Sequence, residues 1–278
     1  MTYLETYTSS LNNSSLSDSI TTTAKSVVSN IESRFDFTEP LTGLLLGNVQ
    51  SGKTGQMLGV ISHLADKGYR IFLLLTTDNI DLQRQTYNRV KSALTSFTVL
   101  SESDVVLFNP HNLIKPIVIV LKKNASVLRK WGNLLMTYQL NTGLCLTIFD
   151  DEADAASLNT LVNRNRTSTI NKHLQKIKDT ASSSLYLEVT ATPQSIILQT
   201  VMSGWKPAFI NYFKPGKDYL GGNFFYSNPT SYCIRFTSEN ELDEISEDGD
   251  ILCPEGLRKG IVSFLVVCAV SYTHLRAH

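Results

Sequence analysis

The chain reads as an α/β domain, doubly wound around a mostly parallel sheet, and three observations predict that fold. Continuous apolar runs at Ile71 to Leu75, Val105 to Phe108, Ile117 to Leu121, Leu144 to Phe149 and Leu185 to Val189 have the character of strands covered on both faces. Helical patterns separate several of these runs, so strand and helix alternate along the chain. A further run, Leu44 to Leu46, passes through a glycine-containing loop into a helix, which puts that loop at the carboxyl end of a strand, where sheets of this class hold their ligands.

Residues 1–19 are rich in Ser, Thr and Asn and read as loose, whereas Ile20, Ala24, Val27, Val28, Ile31 and Phe35 share one helical face. After the glycine loop, Met57, Val60, Ile61 and Leu64 fall at helical spacing and Gly68 marks the stop. Later helices are read from Gln83, Tyr87, Val90 and Leu94, from Val127 or Leu128 with Trp131, Leu135 and Tyr138, and from Ile170, Leu174 and Ile177. Beyond Pro193 the pattern gives way to Gly, Pro and aromatic residues, and the acidic run from Glu239 to Asp250 has the character of a solvated linker. Leu257 to Ala269 reads as the start of another buried element. The last stretch, residues 270–278, resembles a translated sequencing adaptor and is set aside from fold reasoning, with native sequence expected to continue past Ala269. The expected organisation is 1–40 as a polar segment and helix, 41–200 as the α/β domain, 201–269 as an incomplete following segment with the acidic linker, and 270–278 as the scar.

At 278 residues and 42% hydrophobic content, the chain has enough apolar material to bury a large core. Its 25 basic and 25 acidic residues balance, so net charge gives no support for a surface dedicated to coating nucleic acid. Cys145, Cys233, Cys253 and Cys268 form no CxxC pair, which fits reduced thiols better than a disulfide frame or a zinc site. The longest apolar run, Ile261 to Val270, is too short to span a bilayer, and a cytoplasmic location without membrane partners is expected.

The loop itself carries chemistry. Gly47, Asn48, Val49, Gln50, Ser51, Gly52, Lys53 and Thr54 spell GxxxxGKT between a strand and a helix. Glycines let successive backbone N–H groups face phosphate oxygens at the positive end of the helix. Lys53 is expected on the β and γ phosphates, and Thr54 on Mg²⁺.

A second constellation closes the run 144–149. Asp150, Asp151, Glu152, Ala153 and Asp154 place carboxylates at a strand end, the position from which an acid meets a phosphate-bound metal. Asp151 is expected to hold the metal and Glu152 to orient and deprotonate the attacking water, while Asp150 has no assigned role. Thr190 and Thr192 follow the run 185–189, two hydroxyls on one face ended by Pro193, and are expected at Glu152 or at the γ-phosphate.

The phosphate loop, DEAD and TATP in this order resemble the first RecA-like domain of superfamily 2 helicases. GNVQSGKT, TTDNIDLQRQT, VLKKN, FDDEADAASLN, EVTATPQ and PGKDYLGG together look like the Z-one domain family of bacterial helicase-like ATPases, commonly labelled endonucleases, over roughly residues 41 to 269. That resemblance implies a RecA-like P-loop NTPase domain with ATP and Mg²⁺ as cofactors and DNA as partner, in bacterial restriction or anti-phage systems with their partner proteins. It carries Thr190 and Thr192 over as a coupling motif, puts Gln85 and Arg89 in the stretch that touches the nucleic-acid backbone in helicases, and implies a second RecA-like domain that supplies an arginine finger. Arg164, Arg166, Lys172, Lys176 and Lys178 form a local basic patch whose plainer reading is a solvated helix surface. Two other functions compete with the ATP-driven motor. A common nuclease core needs D-x-K or E-x-K, and neither occurs in this sequence. A module that senses ATP without turning it over would share the phosphate loop.

Overall fold

The computed structural model describes residues 1–48, 51–110, 113–138, 145–154, 169–181, 183–194, 196–197, 206–217, 219 and 255–276, the last without side chains beyond 266. Val49, Gln50, Arg164, Arg166 and the acidic run therefore lie outside the described residues. Two compact units divide the chain, Met1–Tyr219 and Leu220–His278.

The first unit is built on a seven-stranded sheet whose pairings are all parallel. Its strands are β1 (Leu41–Gly47), β2 (Ile71–Thr76), β3 (Thr98–Ser101), β4 (Ile117–Lys122), β5 (Leu146–Asp151), β6 (Ser184–Thr190) and β7 (Phe209–Phe213). They lie in the order β3-β4-β2-β5-β6-β1-β7. The expected doubly wound parallel sheet is thus what the chain forms, because β2, β4, β5 and β6 are apolar on both faces and each face has its own helices. On one side Phe72, Leu74, Val118, Val120, Leu185 and Leu187 pack under α1 (Tyr3–Ser9), α2 (Ser14–Glu32), α3 (Lys53–Asp66) and α4 (Ile80–Ala93). On the other, Ile71, Leu73, Leu75, Ile119, Leu121, Leu146 and Ile148 pack under α5 (Ala125–Thr137) and α6 (Thr169–Lys178) through Leu128, Trp131, Leu135, Leu174 and Ile177. Each such side chain taken out of water contributes about 1.5–3 kcal/mol.

Three sequence expectations change. Residues 1–19 are not loose: Thr2 and Glu5 close a capping box on α1, and Asn13 caps α2. Asp66, at the end of α3, accepts from the Tyr3 N–H at 2.6 Å, while the Tyr7 hydroxyl donates to Gly55 O at 3.1 Å, so α1 runs along α3. Val105 to Phe108 is not a strand. Val105–Leu107 forms one 3₁₀ turn, with Val106 and Leu107 exposed, and the strand lies earlier, at Thr98–Ser101. Asp104 fixes this geometry by accepting from the Ser101 N–H at 2.8 Å and from its hydroxyl at 2.7 Å. A seventh strand, Phe209–Phe213, occupies the segment read as irregular.

In the second unit the described element is α7 (Glu255–Arg276). Leu257, Ile261, Val262, Phe264, Leu265 and Val266 are exposed on it, which corrects the expectation of a buried element there. Among the described residues no helix is long and apolar enough to cross a membrane.

Candidate functional site

The sheet order assembles the site. β6 lies between β1 and β5, so the glycine loop, the acid cluster and the threonine pair end three neighbouring strands at one edge. At the first of these ends Gly52 is the N-cap of α3 at φ 81°, a left-handed backbone that suits glycine, and no side chain caps the helix. Its first-turn N–H groups are therefore free of side-chain partners, as an anion site requires. Gly47 is needed for a different reason. A Cβ there would stand 2.8 Å from Lys53 Cγ, so the bare backbone lets the lysine stem fold back over the loop. Lys53 Nζ then donates to Asn48 O at 3.5 Å, and the Ser51 hydroxyl donates to the same carbonyl at 2.7 Å.

At the end of β5, Asp151, Glu152 and Thr54 line one cavity of about 170 Å³ with Thr76, Thr77, Gln85 and Arg89. Burial pushes the Asp151 carboxyl up to about 6, helped by the neighbouring Glu152 and opposed by Lys53 and Lys123. The Glu152 N–H donates to Asp151 Oδ1 at 3.1 Å. Glu152 itself has φ 53°, left-handed for a residue with a Cβ, and such backbone strain collects where function over-determines it. Gln85 and Arg89, the residues expected on a nucleic-acid backbone, line this cavity together with the acid pair.

Thr190 and Thr192, expected at Glu152 or at the γ-phosphate, hydrogen-bond to Asp154 and not to Glu152. Both hydroxyls donate to Asp154, Thr190 to Oδ1 at 2.6 Å and Thr192 to Oδ2. Burial works to raise the Asp154 carboxyl, but the two hydroxyls outweigh it and hold the group below the usual carboxylate range. The pair thus clamps β6 to the turn after β5, and the Ala153 N–H adds a bond to Val189 O at 3.1 Å.

Asp150, which the sequence left without a role, is a buried counter-charge. Successive residues on a strand face opposite ways, so with Asp151 turned to the cavity Asp150 points into the α5–α6 side. There Lys123 Nζ donates to its Oδ1 at 3.0 Å, with both side chains fully buried, and the Tyr186 hydroxyl donates to Oδ2. Lys178 lies over the Tyr186 ring, 3.5 Å from its centroid, so it is not the free phosphate contact a basic patch would use. Glu188 stands beside Asp150 in register, and burial, then the Asp150 charge, pushes its carboxyl up to about 8. The lysine could have been found in the sequence, since an acid on the covered face of β5 demands a buried cation, and VLKKN supplies one.

No protein-family model matches the chain, and a search of curated proteins found no match either. Among solved structures, the genome packaging NTPase B204 from Sulfolobus turreted icosahedral virus 2 in complex with ATP-gammaS is similar over 54% of this chain and 64% of its own, at 16% identity and a TM-score of 0.34. The Pyrococcus furiosus Hef helicase domain is similar over 78% of this chain and 43% of its own, at 15% identity and a TM-score of 0.43. The chain therefore spans less than two thirds of either structure.

Proposed function

We propose that the chain is a helicase-like, RecA-type P-loop ATPase domain that binds and hydrolyses ATP with Mg²⁺ and acts on DNA in the cytoplasm. The observation that carries this reading is the single cavity shared by Thr54, Asp151 and Glu152 at the foot of an uncapped α3. The donor set suits the metal. Thr54 and Asp151 offer hard oxygen ligands, and two adjacent carboxyls, one pushed up by burial, form a site short of positive charge. Mg²⁺ held there by Thr54 and Asp151 would supply charge neutralisation to the transferring phosphate. In this reading the α3 N-terminus and Lys53 hold the phosphates, and Glu152, just past the end of β5, stands next to the metal ligand Asp151. Glu152 takes a proton from water as the water oxygen bonds to the γ-phosphorus and the bridging P–O bond breaks, leaving ADP and phosphate. The resemblance to the Z-one domain family supports DNA as the partner and a place in bacterial restriction or anti-phage systems.

Thermal melting tests the nucleotide assignment. Saturating Mg-ATP, at a hundred times its dissociation constant, is expected to add about 2.7 kcal/mol of stability. Lys53→Ala should lose that shift, whereas Glu152→Gln keeps the shape of the side chain without its basicity and should retain the shift while abolishing turnover. An unmoved melting midpoint in well-folded wild-type protein sinks the assignment.

A further inference from the structure

We propose that Lys123 is a positioning residue for the candidate metal site, a buried ammonium that sets the backbone of the Asp151–Glu152 turn. This rests on the ATP reading above. Lys123 lies one residue past β4, where its own N–H donates to Thr76 O at 2.8 Å and so extends the ladder with β2. In the strand order β2 separates β4 from β5, and the side chain crosses the end of β2 to reach the acid turn. An ammonium carries three protons, and all three are used: on Asp150 Oδ1 at 3.0 Å, Asp151 O at 2.8 Å and Glu152 O at 2.7 Å.

Two of these acceptors are consecutive main-chain carbonyls. Drawing both toward one buried atom fixes the peptide planes on either side of the Glu152 Cα, the residue held at φ 53°. With its carbonyls turned inward, the turn presents the Asp151 carboxylate and Glu152 to the cavity that holds Thr54. Asp150 neutralises the ammonium from the covered face, and Tyr186 fixes Asp150 in turn. An arginine cannot substitute, since its planar fork does not converge on three acceptors around one point.

Removing Lys123 alone would strand the Asp150 charge in the core, so the test uses Lys123→Met with Asp150→Asn, and as a second version Lys123→Gln with Asp150→Asn. Two quantities are measured on each: the melting midpoint without ligand, and the affinity for ATPγS with Mg²⁺ and with the metal chelated. The proposal expects a double variant that folds, binds metal-free ATPγS within about twofold of wild type through the phosphate loop, and loses at least tenfold of the gain that Mg²⁺ gives the wild type. A folded variant that keeps the full gain overturns the proposal. Failure of both double variants to fold also overturns it, since Lys123 would then serve the core alone. A wild type with no Mg²⁺-linked gain overturns the ATP reading itself, and this inference with it.

Discussion

Arg89 is exposed on α4 yet lines the cavity with Thr54, Asp151 and Glu152. It also lies near the Tyr7 hydroxyl, which reaches from α1 to Gly55 O on the first turn of α3; burial pushes that phenol up to about 12, and the arginine charge pulls the other way. In the ATP site proposed above, a cation lining the same cavity as Thr54 and the acid pair is expected at the terminal phosphate and not at the nucleoside. Arg89→Ala is therefore expected to weaken ATPγS binding about tenfold and ADP binding hardly at all, measured by calorimetry at fixed Mg²⁺. Equal losses for both nucleotides would return Arg89 to a general electrostatic role. Glu188 carries a separate expectation. An acid raised on folding keeps a proton that the unfolded chain releases, so stability falls as pH climbs from about 4.5 through about 8. Glu188→Gln should flatten that decline in denaturant midpoints taken across the window. A wild-type curve that is level or rising there would contradict the buried, protonated carboxyl.

Among the elements, α2 packs tightly against α3. A Cβ on Gly59 would fall 2.3 Å from Ile20 Cγ2, on a side chain that is fully buried. Alanine gains up to about 1 kcal/mol over glycine in a helix, but overpacking a filled contact costs about 1–3 kcal/mol. Gly59→Ala should lower the urea midpoint, and Gly59→Ala/Ile20→Ala should lose less than the two single changes added together. Strict additivity would mean that the helices part without strain. Elements of this kind were also where the sequence was most and least legible. Helical faces such as Ile20 to Ile31 and two-faced runs such as Ile71 to Leu75 declared themselves, because burial demands apolar residues at fixed spacing. The outer strands did not. β3 buries one of its four residues and β7 exposes Ile210 and Tyr212, so neither carries the pattern of a covered strand. Val105 to Leu107 misled in the opposite way, with apolar residues standing in solvent because Asp104 turns the chain there. For the candidate site, strand ends and motif order singled out Lys53, Thr54, Asp151 and Glu152, of which the last three line one cavity. The partners of Thr190, Thr192 and Asp150 required knowing which strands are neighbours.

For the molecule as a whole, that neighbour relation has a temporal side. β1, which feeds the glycine loop, pairs with β6 and β7 and with no other described strand. Leu41 sits opposite Leu185, 185 − 41 = 144 residues later. At a synthesis rate of roughly 5–20 residues per second, β1 waits about 7 to 30 s on the ribosome before its first partner exists. Through that interval Leu44 and Leu45, both fully enclosed in the finished fold, stand beside open strand edges. β2, β4 and β5 can meanwhile join among themselves. Half the sheet can therefore form early, and the end that carries the candidate site is the last to close, since only β6 brings Asp151 and Lys53 to the same edge.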